Sequence, residues 1–169
     1  MFLVSDTPDQ RARLVRSFLP KHPSVALIVA AVYFEWTVSR AIIALSSRPN
    51  VSVRRSLACM YGLEKYKDLW RAEQPDLVKC RLLPQIVRNW SGVTDAFHER
   101  DRLVHGRNRH TRNMATPHVE ALLAAVSDVF EYCRGFGADI GKRLPVRRGR
   151  NQAPATTDLV AVKSAGATQ

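Results

Sequence analysis

An all-α, up-and-down helical bundle is the fold this sequence predicts, and three observations predict it. Apolar residues return at spacings of three and four through the long segments, as in Val119, Leu122, Leu123, Val126, Val129 and Phe130. No segment sustains the apolar–polar alternation of a half-buried strand. Proline, glycine and short polar residues fall between those segments, where helices start and stop. At 169 residues the chain is long enough for one domain with a real core, and 46% apolar residues are too many for a wholly disordered chain.

Ser5-Asp6-Thr7-Pro8 offers a capping residue before a proline at the first helical position. A short helix should run from there to about Phe18, ended by Leu19-Pro20. The next helix should start near His22 or Pro23 and run to about Ser46, with apolar residues nearly encircling it, as suits the centre of a bundle. Its unbroken apolar run, Val25 to Phe34, is about half of the roughly 20 residues a bilayer span needs. Glu35 and Arg40 interrupt the rest of the helix, so a core helix and no membrane contact are expected.

Ser47-Arg48-Pro49-Asn50 is a break. Ser52 to about Met60 and Glu64 to about Ala72 read as short helices separated at Gly62. Pro75-Asp76 opens another segment, which Pro84 kinks or divides. Asn89-Trp90-Ser91-Gly92 marks a further start, from which a helix should run over about Val93 to Val104 or His105. Thr116-Pro117 begins the last long helix, weakened at its end by Gly135 and Gly137. From Pro145 the chain turns to Arg, Gly, Ala, Thr and Ser, which bury little surface. The expected division is a helical domain over 1–144 and a disordered basic tail over 145–169.

A formal net charge of +11 points to a polyanionic partner, with a solvated basic surface as the plain alternative. Cys59, Cys80 and Cys133 are odd in number, widely spaced and without a CxxC pair, which argues against a disulfide framework or a zinc site and for a reducing compartment. The opening Met-Phe-Leu-Val-Ser-Asp lacks the basic region of a signal peptide, so a cytoplasmic protein is expected.

Chemistry concentrates in Arg100-Asp101-Arg102-Leu103-Val104-His105-Gly106. Arginine holds phosphate or a developing negative charge, and histidine moves a proton near neutral pH. Those two tools suffice to cut RNA without a metal. The bare spacing is weak, since 20 Arg and 5 His in this chain give about 0.6 matches by chance. Context discriminates: looser pairs such as Arg16–His22 and Arg112–His118 lack both the long helical pattern and the Leu-Val-His-Gly ending.

In that context the segment resembles the R-x4-H motif of the HEPN (higher eukaryotes and prokaryotes nucleotide-binding) family, over residues 22 to 140. The resemblance implies a metal-independent endoribonuclease without cofactor, acting on RNA as a homodimer with a composite cleft. It implies a toxin or phage-defence effector with an antitoxin or defence-system partner. By the same resemblance His105 is the base for the ribose 2′-OH or the acid for the leaving group, and Arg100 stabilises charge on the phosphate in flight. The tyrosine that some relatives carry just after the histidine, where a partner nucleotidyltransferase modifies it, is replaced here by Gly106, Arg107 and Asn108. A non-catalytic HEPN module binding RNA or a protein is the rival reading. A DNA-binding helix-turn-helix around Ser52 to Ala72 ranks below it.

Geometry adds a constraint. Positions five apart on a helix point about 140° apart, so Arg100 and His105 of one helix do not converge on one ligand. Two copies meeting across a two-fold axis would bring them together, as would an unwound helix end at Gly106. Arg100 also lies on an apolar stripe with Val93, Phe97 and Val104, where a charge needs a partner or an interface. Glu35, alone among Val32, Tyr33, Phe34 and Trp36, is the obvious mate, and the resemblance also implies an acidic residue from an earlier helix beside the Arg and His. A structural ion pair that only fixes helix register is the alternative for these two. For His105 the alternative is a helix-end residue favoured by the dipole. Arg40 is a further polar partner, and Arg102, Arg107, Arg109 and Arg40 are the expected RNA-binding residues. The loop Gly106–Asn113 reads as a phosphate-binding arm or as an ordinary charged loop. His110 and His118 have no metal-ligand spacing, and no metal is expected.

Overall fold

In the computed structural model, which describes residues 6–60, 62–73, 81–106, 110–144 and 146–147, a central helix, α2 (Pro23–Leu45), carries the packing of the rest. Around it stand α1 (Pro8–Ser17), α3 (Asn50–Ala58), α4 (Leu63–Glu73), the single turn α5 (Leu83–Ile86), α6 (Trp90–Val104) and α7 (Arg112–Gly135). No strand occurs among the described residues, so the chain is an all-α bundle.

α2 is buried on nearly every side because its residues permit close approach. Ala26, Ala30, Ala31 and Ala41 are all 0% exposed, and Leu27, Phe34, Val38 and Ile42 fill the space between them. The face of α7 formed by Ala115, Val119, Leu122, Val126 and Val129 packs along it. By length and composition α2 would cross a membrane, but 61% of its apolar window is buried inside the bundle, as in a core helix.

Side-chain pairs fix the helix directions. Arg11 of α1 lies on Trp36, and Ser24 of α2 receives the backbone N–H of His110, while Glu35 receives Arg100. α1 and α6 thus run antiparallel to α2. α7 starts beside the N-terminal end of α2, and the Arg40 guanidinium meets the carbonyl of Ile140 beyond the far end of α7, so the two run in the same sense. α4 also runs with α2: the buried Glu73 carboxylate accepts from Ser46 at 2.8 Å and from Arg48.

Capping decides the helix ends. Thr7 and Gln10 form a reciprocal capping box ahead of Pro8, in keeping with the capping signal in the sequence. α7 ends in a Schellman arrangement in which Gly137, at φ +72°, and Ala138 donate to Arg134 and Cys133. Its start differs from the expectation. The helix begins at Arg112 after Thr111, and Pro117 lies inside it. A turn of helix already precedes the proline, and the Thr116 hydroxyl donates to the Arg112 carbonyl at 2.7 Å. The segment expected to open at Pro75 lies outside the described residues, and only α5 forms around Pro84.

Two residues beyond the expected boundary, at 146–147, are described. The Arg147 guanidinium donates to the carbonyls of Ile43 and Ala44, two of the C-terminal carbonyls that α2 cannot satisfy itself. The Arg147 N–H donates to Asn50 Oδ1 at 3.3 Å, and the Asn50 N–H donates back to the Arg147 carbonyl at 3.2 Å. Packing against the bundle thus reaches Arg147. Residues 148–169 lie outside the described residues.

Candidate active site

α6 begins at a cap: the Asn89 side chain accepts from the Gly92 N–H at 3.0 Å. Its inward stripe then places Val93, Ala96 and Phe97 against the core, with Phe97 edge-on to Phe34 at 6.0 Å. Arg100, one turn further, is the first charge on that stripe, and it is paired as expected. Its Nη2 donates to Glu35 Oε1 at 2.8 Å, and its Nη1 donates to Asp101 Oδ1 at 2.8 Å. The guanidinium carbon also stands 5.3 Å from the Phe97 ring centroid, within cation–π range.

This pair is neither sealed nor free. The side chains of Arg100 and Glu35 keep 22% and 20% exposure. Burial pushes the Glu35 carboxyl above its usual range; the Arg100 charge opposes this and the Asp101 charge adds to it. Ser39, one turn along α2, donates its hydroxyl to the Glu35 carbonyl at 2.8 Å.

His105 occupies the other end of the motif, and the helix does not unwind to bring it closer. Its N–H donates to the Asp101 carbonyl at 3.1 Å, so the helical hydrogen bonding continues up to the C-cap at residue 105. Only then does Gly106, at φ +69°, turn the chain in the left-handed conformation that suits glycine. His105 is exposed, and its imidazole has no partner among the described residues. Arg100 faces the α2–α6 groove while His105 faces solvent, as the divergence of about 140° requires. Gly106 therefore does not join the two within one chain.

Of the expected RNA-binding residues, Arg102 donates to Glu99 Oε1 at 2.9 Å and is half exposed. Arg107 and Arg109 lie outside the described residues. The Arg40 guanidinium donates to the carbonyls of Ile140 and Lys142 and stacks on Trp36 at 4.9 Å, holding the segment after α7.

Three neighbours were not singled out by the sequence. Asp101 sits inside the motif, but successive helical residues point apart and its pairing depends on Arg100 curling back. His110, 1% exposed at its side chain, places Nε2 3.0 Å from Glu99 Oε2, so Glu99 holds both Arg102 and the far end of the loop. Burial pushes the Tyr66 phenol of α4 above its usual range, with Ser39 opposing. A buried His beside a Glu has no spacing rule. No cluster of three or more His, Cys, Asp or Glu able to hold a metal occurs among the described residues.

No family model, curated protein or solved structure matches the chain.

Proposed function

We propose that the chain is a metal-independent endoribonuclease of HEPN type, a toxin or phage-defence effector that cuts RNA through 2′-OH attack. The observation that carries this reading is the disposition of one helix: Arg100 is held in the α2–α6 groove by Glu35 and Asp101, while His105 caps the same helix with an exposed imidazole that has no partner among the described residues. Arg100 would take the phosphate and stabilise the charge that develops on it. His105 would move the proton. Glu35 would orient the guanidinium.

Because the two side chains diverge, the reading assigns them to one cleft across a homodimer. Apolar surface beside the ion pair supports that assembly. Val25 and Val32 of α2 keep 43% and 48% exposure, and Val104, one turn beyond Arg100, keeps 59%. Val32 precedes Glu35 by three residues and Val104 follows Arg100 by four, so these two border the pair, with Val25 about two turns further along α2. Arg102 and the +11 charge would hold the RNA backbone without reading its sequence.

A second reading, a non-catalytic module binding RNA or a protein partner, is favoured by one specific observation. Arg100 already has two carboxylate partners, which is also how a purely structural arginine is satisfied. Cleavage of RNA in EDTA separates the two. The nuclease reading expects cutting by the wild type and its loss in His105→Ala and in Arg100→Lys, where an ammonium cannot reproduce the guanidinium fork. Full cleavage by His105→Ala would leave the binding module.

A further inference from the structure

Away from the α2–α6 groove, a second set of donors gathers beside α7. The Asp128 carboxylate, 4% exposed, anchors an Arg88 side chain that is itself 79% exposed. Its Oδ2 accepts the Arg88 N–H at 2.9 Å, its Oδ1 accepts Nε at 2.8 Å, and Nη2 stands 2.7 Å from the same Oδ1. The guanidinium is thus fixed by one edge, and its Nη1 has no partner among the described residues.

Tyr132 follows Asp128 by four residues, so the two stand on one face of α7 with Cβ atoms about 5–6 Å apart. The phenol oxygen accepts the Arg81 N–H at 3.0 Å, and the Arg81 carbonyl accepts from Trp70 Nε1 at 3.0 Å. The backbone at Arg81 is therefore clamped between α4 and α7, and the phenol keeps its own hydrogen to donate. Arg81, Arg88 and Tyr132 line one open cleft of about 180 Å³, together with Ile86, Asp128 and Glu131.

Charge limits what fits there. Asp128 is committed to Arg88, which leaves the Arg81 guanidinium, the Nη1 edge of Arg88 and a phenolic O–H against the single carboxylate of Glu131. The four formal charges cancel, so the donors select the ligand more than any net field does. Guanidinium and hydroxyl donors on one cleft suit the oxygens of an anion. Glu131 disfavours a terminal phosphate, which carries about 1.5 to 2 negative charges at neutral pH, and tolerates a phosphodiester with one. Arg100 lies elsewhere, about 15 Å along α6 from its start at Trp90.

We propose that Arg81, Arg88 and Tyr132 form a second phosphate-contacting site, which holds a phosphodiester of the RNA backbone apart from the one at Arg100. The proposal rests on the ribonuclease reading for the choice of RNA, not for the geometry of the donors.

The test measures affinity for a 2′-O-methylated RNA oligonucleotide, which offers phosphodiesters but no attacking hydroxyl, beside cleavage of the unmodified strand in EDTA. Arg81→Gln changes an exposed side chain and leaves the clamped backbone in place, so its melting temperature should stay near that of the wild type. Its affinity should fall on the order of tenfold, the usual loss when a hydrogen bond to a charged group is deleted. Arg13→Gln, which removes the same charge from an exposed position of α1 outside the cleft, should bind nearly as the wild type does. The losses of Arg81→Gln and Tyr132→Phe should not add, because the two donors share one phosphate, whereas the loss of Arg100→Lys should add to either. Cleft-specific losses in a protein that cuts nothing would support the site and overturn the ribonuclease reading. Equal losses in Arg81→Gln and Arg13→Gln would overturn the site, and cleavage by the wild type would leave that reading standing. A wild type stabilised by inorganic phosphate through Arg81 but unable to bind the oligonucleotide would overturn the choice of a phosphodiester.

Discussion

Glu35 and Arg100 are joined across the α2–α6 groove at 2.8 Å, each with about a fifth of its side chain still open to solvent. A sealed pair would be register alone, and a fully exposed one would contribute little. The intermediate burial holds the guanidinium at a fixed place without sealing the pair from solvent.

The electrostatics of that pair give a prediction with a definite sign. Burial raises the Glu35 carboxyl above its usual 4.5, over the opposition of Arg100. A raised carboxyl binds its proton more readily in the folded chain. Its stabilising contribution is therefore complete below the unfolded value and is lost as pH rises through the folded value. Wild type compared with Glu35→Gln should gain relative stability as pH falls from 7 towards 4.5, then stay level. Paired chemical denaturation curves across that range check this, and a difference that moves the other way would mean that Arg100 dominates the carboxyl.

Arg147 should matter more than a tail residue. A chain ending at residue 144 loses the guanidinium that meets Ile43 and Ala44, whereas one ending at 147 keeps it. The shorter chain should melt lower by roughly 3–8 °C, the consequence of about 1–2 kcal/mol of lost hydrogen bonding in a domain of this size. Equal melting of the two truncations would show that the cap adds nothing.

Gly106→Ala probes the turn after the motif. A Cβ added there meets nothing within 4 Å, so the cost is backbone strain at φ +69° and nothing else. That cost should be about 1–2 kcal/mol, and Gly106→Asn, which tolerates the left-handed region better, should recover part of it. Circular dichroism melts of the three proteins measure the order Gly, Asn, Ala. Any other order would mean that the turn is not left-handed in solution.

The sequence was most informative where structure is local. Thr7, Pro8 and Gln10 lie within four residues, so the cap of α1 is legible at sight. Glu35 and Arg100 were legible for a different reason: each is a lone charge on an apolar stripe, and two such charges demand each other. Pro117 misled because the rule that proline opens a helix does not forbid an earlier start by a turn. Arg147 was hidden because its composition reads as tail, while its role appears only when the chain returns to carbonyls 104 residues away. The Glu99–His110 contact depends on how the chain after α6 folds back on that helix, which no local pattern encodes. The donors of Arg40 went to Ile140 and Lys142 for the same reason.

Mixing two inactive variants tests the shared cleft most directly. Arg100→Ala and His105→Ala proteins should each fail to cut RNA in EDTA, with a loss on the order of 10²–10⁴-fold for the acid–base group alone. Co-refolded in equal amounts, half of the dimers should be mixed, and each mixed dimer should hold one site with both residues intact. Metal-independent cleavage should return to about a quarter of the wild-type rate. Inactive singles whose mixture also stays inactive, with mixed dimers demonstrably formed, would contradict the shared cleft.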